Sequence, residues 1–269
     1  PNMAELYSFG QHSYKVSYGL LRYYTNPEGN VKTNRVIKMN NSEVNPEKGI
    51  KWINEFKTHK KENIYTLTAY AHYIQNYIYD RPITVTGTVR GPMPAFIYVQ
   101  SDAVFLGTDF TWQRNWSKTL QGTFGFSYLW SKNVEKNEPL INQPPITTNY
   151  KLAFQTKKFL KLKSSKLFAK GSYTFRQYNA PITITPQAII DGSEEITPTS
   201  EIFDFRDAPE GYFLLELGWQ FKWKRLGGSI SVQNVLNTEY RNYLNEMRYF
   251  TDEMGRNILF TLNYVIKNK

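Results

Sequence analysis

The sequence predicts an all-β protein: a transmembrane antiparallel β-barrel, of which this chain supplies about nine strands. Three observations predict it: long segments of two-residue alternation, short turns alternating with long loops, and charge sorted between the two kinds of connection. The clearest alternation is Tyr212 to Lys224, YFLLELGWQFKWK. Phe213, Leu215, Leu217, Trp219, Phe221 and Trp223 share one parity, and Tyr212, Glu216, Gly218, Gln220, Lys222 and Lys224 fill most of the other. Successive side chains of a strand point to opposite faces, so one face is apolar and the other wet. The run is also longer than the usual globular strand of about five or six residues.

The pattern recurs in order along the chain. In 120–131, Leu120, Phe124, Phe126, Tyr128 and Trp130 oppose Gln121, Thr123, Gly125, Ser127 and Ser131. In 167–176, Leu167, Ala169, Tyr173 and Phe175 oppose Lys170, Ser172, Thr174 and Arg176, and in the last segment Ile258, Phe260, Leu262, Tyr264 and Ile266 oppose Asn257, Thr261 and Asn263. Apolar-out, polar-in strands of about ten residues with aromatics near their ends are what a transmembrane barrel requires, because only a closed sheet pairs every backbone group in lipid. Parity therefore predicts that Phe124, Phe126, Phe213, Leu215, Leu217, Trp219, Phe221, Phe260, Leu262 and Tyr264 face lipid, with Thr123, Gln220 and Lys222 facing a lumen. The competing reading is a large soluble sheet with one face on a core.

Strands are expected at roughly 48–58, 62–79, 97–116, 119–131, 148–160, 166–178, 211–224, 228–241 and 256–266. Short connections fall at 59–61, 117–118, 160–165 and 225–227. Long ones fall at 80–96, 132–147, 179–210 and 242–255, after an N-terminal stretch 1–47. Short periplasmic turns opposite long outer loops are the outer-membrane arrangement. Basic residues gather at the short turns: Lys57, Lys60, Lys61, Arg114, Lys118, Lys157, Lys158, Lys161, Lys163, Lys166, Lys222, Lys224 and Arg225. Acidic residues gather in the long loops: Glu135, Glu138, Asp191, Glu194, Glu195, Glu201, Asp204, Asp207, Glu210, Glu246, Asp252 and Glu253. A basic periplasmic rim is expected to meet anionic phospholipid headgroups. The basic residues ring strand ends with no recognition helix, so no nucleic-acid partner is expected.

Composition narrows the classes further. The chain carries 33 Lys and Arg against 23 Asp and Glu, a net +10, and no cysteine, which removes disulfides and thiol-ligated metal. Mean hydropathy is −0.54, a value that alternation produces even in a membrane barrel, and no run of about 18 apolar residues suits a membrane helix. The opening on Pro1, without a signal peptide, leads us to expect a portion of a longer polypeptide. His12, His59 and His72 are dispersed, so no metal site is expected; with no phosphate loop, nucleophile elbow or H-E-x-x-H, neither an enzyme nor a cofactor is expected.

Several short motifs carry a resemblance. Asn234 to Tyr243, NVLNTEYRNY, followed by GRNILFTLNY from Gly255, resembles the end of a TonB-dependent outer-membrane receptor, with its N-L-F/L-D/N-x-x-Y element and a last strand opening on Gly-Arg. The opening PNMAELY, the Asn45-Pro46-Glu47-Lys48 element, Tyr73 to Tyr79 (YIQNYIY), Gln177 to Pro181 and 203–212 are similar to successive segments of those barrels. The resemblance spans essentially the whole chain. It implies a barrel of about 22 strands, of which 1–269 forms the C-terminal portion, about strands fourteen to twenty-two. The plug domain and the first strands lie outside it. The ending Lys267-Asn268-Lys269 departs from the aromatic end usual in the family.

The resemblance also implies partners: the remainder of the barrel and its plug, whether in the same gene product or a companion chain, the TonB complex acting through the plug, outer-membrane lipid, and a surface lipoprotein. It implies the outer membrane of a Gram-negative bacterium, and active uptake of a scarce nutrient such as a ferric siderophore, haem or a cobalamin-like ligand. The alternatives are a passive porin or structural outer-membrane subunit, and a soluble carbohydrate-binding β protein. Family ligands are held by outer loops and the upper wall through aromatics and Arg. Arg176, Tyr178 and Tyr212 point inward by parity; Arg206 and Arg248 lie near strand tops, with Tyr249 beside the latter. These six are the candidate ligand-binding residues.

Overall fold

The computed structural model describes residues 1–12, 14–25, 36–39, 44–156, 162–194, 196 and 201–266. It opens on a short helix, α1 (Met3–Tyr7), and the strands β1 (Phe9–His12), β2 (Lys15–Tyr18), β3 (Arg22–Thr25) and β4 (Val36–Met39). Then follow β5 (Lys48–Lys60), β6 (Asn63–Thr88), β7 (Gly91–Asn115), β8 (Leu120–Asn133), β9 (Thr147–Thr156) and β10 (Ser164–Thr174). A long connection holds β11 (Ile182–Thr183), helix α2 (Pro186–Asp191) and β12 (Phe203–Asp204), before β13 (Tyr212–Trp223), β14 (Leu226–Gln233) and β15 (Asn257–Tyr264).

Nine strands, β5 to β10 and β13 to β15, pair in sequence order as one antiparallel wall, and each coincides with a strand expected from alternation. Register preserves parity across every seam. Phe56 opposes Leu67, Leu67 opposes Phe110, and Phe110 opposes Phe126. At the other side Leu167 opposes Trp219, Trp219 opposes Ile230, and Ile230 opposes Phe260. A slip of one residue would turn a strand's apolar set to the wet side, so matched parity at eight seams makes a single continuous apolar face. That face is left uncovered, with Phe260 67% and Leu262 56% exposed. No apolar area of this breadth belongs on a water-facing surface. Among the described residues no helix is long and apolar enough to cross a membrane.

The structure corrects several boundaries. β6 and β7 do not yield to a loop over 80–96: they run on to a two-residue turn at Val89 and Arg90, with Gly91 at φ +101°. Pairing with β5 stops at Gln75 and pairing with β8 starts at Ala103, so the hairpin beyond these points stands clear of the wall. There its free edge is taken by β2, parallel to β7 over Val16–Tyr18, which organises part of the N-terminal stretch. β10 ends at Thr174, so Arg176 and Tyr178 lie beyond the strand. β14 ends at Gln233 because Asn234 turns to φ +46°. Lys157, Lys158, Lys161, Glu195 and 267–269 lie outside the described residues.

The buried core sits on the projecting hairpin, away from the wall. Tyr79, Val85 and Phe96 of the hairpin pack with Leu140, Ile141, Ile189, Ile202, Phe203 and Phe205 of two long loops. The loops on the long-connection side therefore form a packed cap with its own apolar centre.

Candidate functional site

Two surfaces could meet a ligand: the polar face of the wall and the cap above it. On the polar face, Lys170 of β10 opposes Glu216 of β13 and donates to it at 2.9 Å. Thr111, Thr123, Asn149, Lys151 and Ser172 continue the same parity and, with Tyr240 and Asn257, line a cavity of about 520 Å³. It is a hydrogen-bonding surface with both charges present.

In the cap, loops distant in sequence converge on one buried ion pair. Arg248 follows Asn245, whose side chain accepts from Met247 N and starts a single 3-10 turn. The Arg248 guanidinium is 1% exposed. Its Nη2 donates to Asp204 Oδ2 at 2.6 Å and to Asn142 Oδ1 at 3.3 Å, and its Nε donates to the Tyr243 carbonyl at 2.9 Å. Tyr243 and Tyr249 sandwich it, their ring centroids 4.7 and 4.4 Å from its central carbon. Tyr249 also donates its hydroxyl to Asp204 Oδ1 at 2.7 Å. Burial, and then the Asp204 charge, push the Tyr249 phenol above its ordinary range, so it remains a donor. A guanidinium stacked on two rings and paired to a hydrogen-bonded carboxylate is the form in which Arg tolerates burial.

A second charged cluster lies beside it. Lys15 Nζ, at the start of β2, reaches Asp80 at 2.7 Å and Glu246 at 2.8 Å, and sits 4.9 Å from the Phe96 ring centroid. Burial pulls the Lys15 ammonium down, but Asp80 and Glu246 outweigh it and its pKa is raised. Burial raises the Glu246 carboxyl, with Lys15 drawing it part of the way back. Asn142 links the clusters, accepting from Arg248 and donating to Glu246 at 3.5 Å.

The six candidate ligand residues divide accordingly. Arg248 and Tyr249 are enclosed partners of Asp204, away from the open mouth expected for them; two neighbouring rings and a carboxylate turn the side chain inward. Asp204 and Glu246, expected among solvated loop acids, are buried with them. Arg176 remains at the wall's upper end, 36% exposed and 2.5 Å from Glu210. Tyr178 is 80% exposed and Arg206 is exposed. Tyr212 stacks on Tyr240 with centroids 4.4 Å apart. The inner cluster of Lys15, Asp80, Asn142 and Tyr243 has no local signature, because its members meet only when the loops fold together.

The motifs near the end of the chain have a structural basis. Asn234 bonds across its turn to Thr238 N and O, both at 2.9 Å. Asn237 accepts from Arg256 N at 3.0 Å, and Arg256 Nε donates to the Val235 carbonyl at 3.0 Å. The two asparagines and Gly255-Arg256 thus lock the top of β14 to the start of β15.

An antiparallel wall, apolar outside and polar inside, with packed loops at one end, defines the class: the chain has the fold of part of the β-barrel of TonB-dependent outer-membrane receptors. It is similar to the copper transporter OprC, with a TM-score of 0.65 and 15% identity over 98% of this chain and 35% of that one. It is also similar to a variant of the ferric enterobactin receptor PfeA from Pseudomonas aeruginosa, with a TM-score of 0.60 and 16% identity over 90% of this chain and 34% of that one. The siderophore receptor PirA from Acinetobacter baumannii matches with a TM-score of 0.60 and 14% identity over 86% of this chain and 33% of that one. The chain spans about a third of the length of these structures, and at such identities the likeness is one of fold. No family model and no curated protein matches the chain.

Proposed function

We propose that the chain is the C-terminal wall and part of the outer cap of a TonB-dependent outer-membrane receptor, which takes up a scarce nutrient by energised transport. The observation that carries this reading is the continuous two-faced wall joined to a packed loop cap, a fold shared over nearly the whole chain with transport receptors. The plug, the earlier strands and the TonB contact belong to the remainder of the receptor. A ferric siderophore or a similar chelated or free metal fits best, since the similar structures include two siderophore-type receptors and a copper transporter.

Capture of an oxygen-rich anionic chelate would fall to Arg176 and Tyr178 at the open upper wall, with Arg206 and Tyr212 nearby in sequence. Arg offers a planar donor fork and Tyr an amphipathic ring. Arg248 and Tyr249 support those loops from within.

The test is uptake by cells expressing the full-length gene product, with and without TonB, over a panel of iron and copper complexes. Uptake of one complex that disappears without TonB is the expected result; TonB-independent flux of several small solutes would identify a porin. Arg176→Ala with Tyr178→Ala is expected to weaken uptake at least tenfold, about 1.4 kcal/mol, at an unchanged amount of folded barrel. Wild-type uptake would remove these two residues from the site.

A further inference from the structure

Wall parity divides the basic residues of the short-turn rim. Lys57 and Lys222 lie on the polar face, because Phe56 and Phe221 beside them belong to the apolar one. Lys60 and Arg114 lie on the apolar face: Lys60 opposes Asn63, Asn63 opposes Arg114, and Arg114 opposes Gly122. Opposed Cα atoms are about 5 Å apart, which places the Lys60 and Arg114 Cα atoms roughly 10 Å apart with Asn63 between them.

That amide is fixed. Asn63 Oδ1 accepts from Trp112 Nε1 at 3.0 Å, and its Nδ2 donates to the Lys60 carbonyl at 3.3 Å. The Trp116 ring covers Gly122 so closely that a Cβ there would lie 2.3 Å from it, and the Arg114 guanidinium sits 5.9 Å from the same ring's centroid. From Arg114 and Trp116 a cleft of about 210 Å³ runs inward to Phe124, Tyr150 and Leu152. Neither Lys60 nor Arg114 is paired with a carboxylate among the described residues, Glu62 of the turn included.

A row of Trp marks headgroup depth on a membrane wall, and an unpaired cation held there needs an anion at the same depth. We infer that Lys60, Asn63, Arg114 and Trp116 form a site for the phosphodiester headgroup of an anionic glycerophospholipid, with an acyl chain lying in the cleft. The amide donates to the phosphate between the two cations, and the indole carries the glycerol and the first methylenes. This site rests on the membrane-wall reading with the short turns in the phospholipid leaflet, and is independent of the transported nutrient.

The test uses the full-length protein in detergent, offered equimolar dioleoylphosphatidylglycerol and dioleoylphosphatidylcholine, with retained lipid counted by native mass spectrometry. Wild type retains phosphatidylglycerol preferentially. Lys60→Gln with Arg114→Gln lowers that preference about tenfold or more, since each surface cation contributes roughly fivefold. Lys57→Gln with Lys222→Gln leaves it unchanged, and Arg114→Lys alone stays close to wild type. Unchanged retention in the first double variant, or equal loss in both, overturns the site. Wild-type preference for lipid A in a parallel competition overturns the choice of headgroup. A protein that is monodisperse without detergent sinks the wall reading itself; one that requires detergent yet ignores the Lys60 and Arg114 changes sinks only the lipid site.

Discussion

Lys15 joins the N-terminal segment to the cap through Asp80 and Glu246, and the balance of charge there makes a testable pH dependence. The raised Lys15 pKa contributes stability that is complete below the ordinary lysine pKa and is lost only as pH rises through the folded value, so it is constant through the neutral range. The raised Glu246 pKa acts within a lower window: its contribution is present below the ordinary carboxylate pKa and falls as pH rises through the folded value. In the wild type Lys15 compensates that fall. Lys15→Met leaves Glu246 facing Asp80, and removing one partner of a buried pair costs about 3 kcal/mol. Hydrogen exchange over 243–250 should therefore show the variant cap opening more readily as pH rises above the ordinary carboxylate range and closing again as pH falls back towards it. Exchange in the variant that is indifferent to pH would contradict this role for Glu246. None of it was legible in the sequence, where Glu246 reads as one of many loop acids and Arg248 as an arginine near a strand top. Burial of a charged group depends on which distant loops enclose it, and no local pattern encodes that.

The strands themselves were legible because alternation is a local property that the sheet must respect. Leu215 and Gln220 belong to one strand on opposite parities, and Gln220 opposes Lys166 and Ser229 while Leu217 and Trp219, on the parity of Leu215, oppose Val232 and Ile230. Leu215→Arg is expected to cost roughly 2–4 kcal/mol in a folding titration into lipid if it lies near the midplane. Gln220→Arg is expected to cost far less. Equal small costs would mean the parity is wrong. Strand ends were less legible for a physical reason: a ladder continues as long as a partner is available. β6 and β7 extend to Thr88 and Gly91 because β2 and the cap cover residues such as Phe96, and β14 stops early because Asn234 bonds its own turn. The last-strand motif was recognisable before its role was: Asn234, Asn237 and Arg256 are a clamp between two strands, which explains their spacing.

At the scale of the whole molecule, the wall has one apolar face, one polar face, and two different ends. One end carries the packed cap with Asp204, Glu246 and Arg248; the other carries short turns with Lys60, Arg114 and Trp116. The sorting of charge between these ends is visible in the sequence, but the division of the basic rim between the two faces needed the register. On the proposed reading, this wall crosses the outer membrane with the cap outside and the short turns inside. Single cysteines at Ser193, in the loop after α2, and at Ser164, at the first residue of β10, place one reporter at each end. An impermeant thiol reagent applied to whole cells carrying the full-length protein should label Ser193→Cys and leave Ser164→Cys unlabelled until the outer membrane is opened. Labelling of Ser164→Cys with protection of Ser193→Cys, or equal labelling of both on intact cells, would contradict it.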